Sequence, residues 1–333
     1  MNRRFLISRE EWDKVIAGLL VEYDIYASVL NDGIQDYQLI QERDTGLIVY
    51  NRPKPTTPLK TFFLPVKENV IREVKKGKQR IIIGVPSCDL AGLNLIDSIY
   101  LDDSYPDLYY QDRRDNTILI GTDCFSVQEH CHCTSYGIQP VAEANSDISV
   151  LSIGENMMVC PHTEKGMVMF NTINSDDVFR EPNENELKTL QASRDETIDL
   201  LERKNHLLPD TNETGRLIRK SRDEIWKKYS LSCVSCGACA TICPTCTCFL
   251  LIDRPGFEKI RHLDACQYPA FERVAAGEDP LKERHKRFRN RYLCKYVWKP
   301  EKYNHVACTG CGRCIEACIG EINKNELFME LSL

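Results

Sequence analysis

Near the start of the chain, Trp12, Val15, Ile16, Leu19 and Leu20 recur at helical intervals and predict an amphipathic helix over residues 9–22. Ser8-x-x-Glu11 ahead of them has the form of a capping box. The period then changes. Tyr23–Leu30, Tyr37–Gln41 and Gly46–Val49 carry β-branched and aromatic residues between turn signals such as Asn31-Asp32-Gly33, and read as strands. Pro53, Pro55 and Pro58 make an extended loop that ends at Phe62-Phe63-Leu64-Pro65, and a helix is expected over about 66–76. Arg80–Val85 and Thr117–Gly121 have the composition of buried strands, and Pro86-Ser87-Cys88-Asp89 turns from the first into an apolar helix, Leu90–Tyr100. Strand, helix and strand in that order point to a parallel α/β core, with its site at the carboxyl ends of the strands. Residues 148–172 read as further short strands, and Glu184–Asn205 and Glu213–Tyr229 as charged amphipathic helices separated by Leu208-Pro209-Asp210. The expected class is α+β: an N-terminal α/β domain over 1–175, a helical connector over 176–228 and a distinct C-terminal module over 229–333.

A chain of 333 residues, 42% of them hydrophobic, is long enough for two or three domains with their own cores. Its 43 basic against 49 acidic residues give a net charge of −6, which argues against nucleic acid as the principal partner. The N-terminus passes from Arg3-Arg4 to Arg9-Glu10-Glu11 without the apolar stretch of a signal peptide, and runs such as Ile81-Ile82-Ile83-Gly84-Val85 are too short to span a bilayer. The seventeen cysteines change the picture. Disulfide-rich secreted proteins are short, so this number in a long chain points to a reduced, cytoplasmic protein, expected from an anaerobe.

Two runs of cysteines share one spacing. Cys233-x-x-Cys236-x-x-Cys239-x-x-x-Cys243-Pro244 is repeated as Cys308-x-x-Cys311-x-x-Cys314-x-x-x-Cys318, with Ile319 where the first run has proline. Together they resemble a two-cluster bacterial ferredoxin, in which three thiolates of one run hold a cubane and the fourth ligates the other. That likeness assigns Cys233, Cys236, Cys239 and Cys318 to one [4Fe-4S] cluster, and Cys308, Cys311, Cys314 and Cys243 to the second. Gly237 and Gly312 occupy the same place in each run, where a missing Cβ lets the backbone approach the sulfides. A pair of zinc sites would divide its ligands into separated C-x₂-C pairs instead.

Cys88 and Cys124 follow the two buried strands, and Cys131-His132-Cys133 comes shortly after. These four thiols suggest a third metal site. The other readings are small core thiols with a chance pair, or a zinc site in which His130 or His132 replaces one thiol. Cys160 reads as a plain buried thiol. Sixty-four residues separate Cys243 from Cys308, so the module carries an insertion, 249–305. Cys246 and Cys248 just before it read as packing near a cluster, as alternative ligands or as a redox-active pair. Cys266 and Cys294 have no metal spacing around them. Lys282 to Arg291 is a basic run, read as a solvated helix face or a docking surface for an acidic partner.

The chain resembles the iron–sulfur subunit of anaerobic sulfite reductases and the beta subunit of soluble [NiFe] hydrogenases, or sulfhydrogenases. The resemblance covers most of the chain. It is carried by Phe63-Leu64-Pro65-x-x-Glu68, Pro86-Ser87-Cys88-Asp89-Leu90, the Cys124 to Cys133 segment, Cys233 through Cys248, Asp264 through Phe271, and Cys308 through Cys318. It implies that Cys88, Cys124, Cys131 and Cys133 hold a third iron–sulfur cluster, with His132 where relatives often have an aromatic residue. It also implies a complex with a flavin subunit that handles NAD(P)H and with a catalytic subunit of sulfite reductase or hydrogenase type. No dinucleotide loop, P-loop, G-x-S-x-G or H-E-x-x-H run occurs, so no flavin or nucleotide motif is found and the chain is expected to carry electrons without turning over a substrate. Two other classes remain open: a self-standing reductase of a sulfur substrate, using an open cluster or the Cys246/Cys248 pair, and a zinc-stabilised interaction module.

Overall fold

The structure, a computed structural model, describes residues 3–72, 77–174 and 178–333. The expected domain boundary at 175/176 lies outside the described residues.

Among the described residues ten strands form two sheets. The larger is built from β1 (Phe5–Ser8), β2 (Asp24–Asn31), β3 (Ile34–Leu39), β5 (Arg80–Val85), β6 (Thr117–Gly121), β7 (Ile148–Ile153) and β8 (Asn156–Pro161). Its order is β1-β8-β7-β6-β5-β2-β3. The centre is parallel, β2 beside β5, β5 beside β6 and β6 beside β7, and hairpins add antiparallel strands at both edges. The continuous apolar runs follow from burial on both faces, with alternate residues taking opposite sides. Ile81, Ile83, Ile118 and Ile120 meet α1 (Arg9–Leu19) and α4 (Glu164–Ile173) through Trp12, Ile16, Met169 and Phe170. Ile82, Val85 and Leu119 meet α2 (Ser87–Tyr100) and α3 (Leu108–Asp115).

The parallel core places the ends of β5 and β6 side by side, as the sequence predicts. Helix α1 opens with the Ser8 hydroxyl accepting from Glu11 N–H at 3.2 Å, and ends at Leu19, short of residue 22. Three other expectations are corrected. Residues 46–49 do not form a strand: a 3₁₀ turn runs Glu42–Leu47, and Ile48 makes one bridge to Val29. No helix starts at 66: Lys67–Asn69 is β4, paired with a strand almost two hundred residues later, and residues 73–76 of that expected helix lie outside the described residues. After β8 the chain forms α4, whose N-cap Thr163 accepts from Gly166 N–H, instead of further strand.

Helix α5 (Glu184–Asn205) has the expected bounds and a capping box of Asn183 and Glu186. The second expected connector helix is two, α6 (Thr211–Lys220) and α7 (Asp223–Ser230), broken where Ser221 turns extended. The cluster runs supply the short helices α8 (Ala238–Thr241) and α11 (Arg313–Glu316). Between them lie β9 (Phe249–Arg254), β10 (Glu258–Leu263), α9 (Arg284–Leu293), a π turn over Cys294–Trp298 and α10 (Lys299–Tyr303). α12 (Lys324–Leu331) follows the second run. The insertion therefore does not stand apart. Its hairpin completes the second sheet, β4-β10-β9, and α9 packs Phe288 and Tyr292 on Trp226 and Phe328 in the core beside the cysteine loops.

Candidate functional site

The cysteine runs are too short of regular structure to bury their own thiols, so neighbouring elements close around them. Cys233, Cys236, Cys239 and Cys318 line one cavity, with Cys314 on its wall. Cys243, Cys308, Cys311 and Cys314 line a second. Each cavity thus takes three thiols from one run and the last thiol of the other. Cys88 at the start of α2 and Cys124 just after β6 line a third cavity with Cys131 and Cys133, and Cys311 stands on its wall. Cys314 is common to the first two cavities and Cys311 to the last two, so the three lie in series. Among the described residues no three His, Cys, Asp or Glu converge closely enough for a single metal ion; the thiols ring wider spaces.

Glycines set the spacing of the walls. Gly237 and Gly312 take φ of 73° and 77° at the entrances to α8 and α11, a region that residues with a Cβ rarely occupy. A Cβ on Gly312 would lie 2.6 Å from the His130 carbonyl oxygen, and one on Gly310 2.5 Å from Cys133 Cα. His132 N–H also donates to the Gly310 carbonyl at 2.8 Å. The loop carrying Cys131 and Cys133 is thereby pressed onto the second ferredoxin-type loop.

Buried cations complete the lining. Arg313 is 2% exposed and forms a bidentate pair with the fully buried Asp89, at 2.5 and 2.8 Å, while its Nε donates to Pro55 O. This pair ties the second cysteine run to the turn that carries Cys88. Lys54 donates to Glu316 at 2.8 Å and to Gln128; burial disfavours its charge, yet Cys131 and Glu316 hold it above the usual lysine range. Arg291 and Lys324 each face the first and second cavities. Arg291 donates to Cys239 O, and its Nε is buried with no partner among the described residues, as is Thr309 Oγ1 on the second cavity. Lys295 bonds Thr245 Oγ1 and Ala307 O, and Lys60 donates to the carbonyls of Ala240 and Cys246 at 3.2 and 3.0 Å. These four cations bond neutral groups, and a buried charge needs an opposite one. Burial lowers Lys295, but the thiols of Cys243 and Cys246 prevail and raise it.

The chemistry of this lining fits iron–sulfur cubanes. Thiolates are their ligands, a net-negative cluster supplies the missing counter-charge, and its sulfides accept from orphaned donors such as Arg291 Nε. Burial pushes the free thiols up, Cys239 to about 11 and Cys133 and Cys311 to about 12, so metal must displace their protons as it binds.

His132 does not face the third cavity. Its Nδ1–H donates to His130 O at 2.7 Å, and Nε2 accepts from Lys324 at 2.8 Å. Burial and the nearby Lys324 charge hold it well below the usual histidine range. Cys160 packs with Leu6, Leu151, Met158 and Leu190 and lines none of the three cavities. The basic run is only partly a solvated face: Lys282, Arg284 and Lys286 are exposed, whereas His285, Arg287 and Arg291 are 8%, 6% and 3% exposed, with Arg287 turned onto the carbonyls of Gln267 and Leu281 and Arg291 onto that of Cys239. The sequence reading missed Lys54, Lys60, Lys295, Arg313 and Lys324; only Arg313 had a signal, its place inside the Cys311-Gly312-Arg313-Cys314 repeat.

Residues 232–322, which span both cysteine runs, match the family described as 4Fe-4S dicluster domain. Over 322 residues the chain is 28% identical to sulfhydrogenase 2 subunit beta of Pyrococcus furiosus, covering 92% of both. The likeness to sulfhydrogenase beta subunits read from the motifs is thus borne out along nearly the whole chain. A chain of the F420-reducing [NiFe] hydrogenase complex from Methanosarcina barkeri is a looser structural neighbour, with a TM-score of 0.37 and 13% identity over 61% of this chain and 90% of that one. Among the described residues no helix is long and apolar enough to cross a membrane.

Proposed function

We propose that this chain is the iron–sulfur electron-transfer subunit of a cytoplasmic, multi-subunit oxidoreductase of hydrogenase type. In this reading the 229–333 module holds two [4Fe-4S] clusters, one on Cys233, Cys236, Cys239 and Cys318 and one on Cys308, Cys311, Cys314 and Cys243. The 1–175 domain holds a third on Cys88, Cys124, Cys131 and Cys133, with 176–228 joining the two. The observation that carries the reading is the series of three thiol-lined cavities joined through Cys314 and Cys311. A cubane, when bound, takes up or gives one electron at nearly fixed geometry. The chain's own residues do the rest: apolar walls exclude water, buried cations offset the charge of the reduced state, and N–H groups aimed at sulfur tune the potentials. Electrons would pass between a flavin subunit handling NAD(P)H and a catalytic partner; the 28% identity to a sulfhydrogenase subunit favours hydrogenase over sulfite reductase as that partner.

The test is anaerobic purification with iron and acid-labile sulfide analysis. Cys236→Ala and Cys311→Ala are expected to lower the iron count and stop reduction of the partner, whereas Cys88→Ala leaves the two ferredoxin-type electron paramagnetic resonance (EPR) signals in place. Full iron retained by both ferredoxin-loop variants would overturn the ligand sets.

A further inference from the structure

Of the five cysteines left over from the three cavities, four come from three segments of the chain to one region. Strands β9 and β10 pair Phe249 with Leu263, and Asp264 N–H donates to the Cys248 carbonyl at 2.9 Å. The base of this hairpin sets Cys248 beside Cys266, each thiol acting on the charge of the other. Gln267 next to Cys266 is tied to α9 in both directions: its side chain donates to Arg287 O at 2.8 Å, and Arg287 Nε donates to its carbonyl at 3.3 Å. Cys294 follows Arg287 and Arg291 at intervals of seven and three, on the same stripe of that helix. There α9 passes into the π turn over Cys294–Trp298, a distortion frequent at functional sites. Cys246 lies two residues before Cys248 with its thiol turned toward that of Cys243 in the second cavity, and Lys295, next to Cys294, bonds Thr245 Oγ1, which brings Cys294 to the same segment.

The surroundings have the character of the other three sites. Lys60, 4% exposed, donates to the Cys246 carbonyl, and Lys299 donates to Thr245 O and Thr247 Oγ1 at 2.7 and 3.2 Å. Gln267 Nε2 also lies 3.7 Å from Cys266 Sγ, the kind of N–H donor that tunes a metal-bound sulfur. Among the described residues these thiols do not converge on a point that one ion could fill. A cubane is wider and needs thiols spread around it.

We propose that Cys246, Cys248, Cys266 and Cys294 hold a fourth [4Fe-4S] cluster beside the first and second. The inference rests on the iron–sulfur reading above, and it leaves Cys160 as the one cysteine of seventeen without a cluster. Such a cluster lies at the root of the β9–β10 hairpin, where the line of three gains a branch.

The test uses the full chain purified without oxygen. Wild type is expected to carry about 16 iron and about 16 sulfide per chain, four of each for every cubane. Cys266→Ala with Cys294→Ala is expected to remove about four of each and one reduced-state spin. The same loss from Cys160→Ala would mark it as non-specific and overturn the assignment. Alkylation followed by peptide mass spectrometry needs no variant: Cys248 and Cys294 are expected to resist iodoacetamide until an iron chelator is added. About 12 iron in wild type, unchanged by the double variant, would overturn the fourth site while leaving the three-cluster reading intact. One zinc per chain lost from that variant, or a Cys248–Cys266 disulfide in the native protein, would also overturn it. Failure of the parent reading looks different, as almost no iron in wild type.

Discussion

At the scale of single residues, the pair Arg313–Asp89 joins the second cysteine run to the turn that holds Cys88. Asp89 is 1% exposed, and both of its carboxylate oxygens accept from the guanidinium. Removing one partner of a buried pair strands the other charge, at a cost of about 3–5 kcal/mol. Arg313→Met is therefore expected to lower stability by about that amount in anaerobic denaturant titrations. Asp89→Leu added to it should restore much of the loss; no recovery would show that the pair matters through its geometry. Gly312→Ala tests the close approach to the His130 carbonyl. It is expected to lower the iron count, whereas Gly18→Ala, with open space around it, leaves the count unchanged. The thiols were legible in the sequence because iron imposes a fixed ligand spacing on a short loop. The buried cations were not, because whether Lys295 or Lys324 faces water or a cavity is decided by segments far away in the chain. For the same reason Arg291, inside a run that reads as a charged surface, turned out to belong to the lining of two cavities.

At the scale of elements, the central strands and α5 could be read directly, since continuous apolar runs and a capping box are local signals. The failure at β4 has a non-local cause: residues 67–69 are a strand because β10 pairs with them, and no local pattern records a partner so distant. The insertion, 249–305, is part of both the second sheet and the core under the clusters. Strand β9 pairs with β10 on one side, and Phe249, Leu250, Leu251 and Ile252 are all at least 37% exposed. An apolar strand at a sheet edge is a template for a neighbouring chain, which fits a subunit of a larger complex. Leu251→Asp is expected to leave the iron count unchanged and to weaken co-purification with the other subunits. Undiminished co-purification would place the contact elsewhere.

At the scale of the molecule, the cysteine-bearing segments come from both the N-terminal sheet and the C-terminal module, and their loops interlock through Gly310, Gly312 and Arg313. Neither part encloses the third cavity alone, since Cys311 and Gly310 help to line what Cys88, Cys124, Cys131 and Cys133 begin. This mutual closure is the physical reason that a domain boundary drawn from composition does not separate the sites. The most direct test of a connected relay is low-temperature EPR of the oxygen-free, dithionite-reduced chain. The account predicts three or more reduced cubane spins per chain, broadened by magnetic coupling between neighbours. A spectrum without cubane signals, from a protein that contains zinc in place of iron, would contradict it.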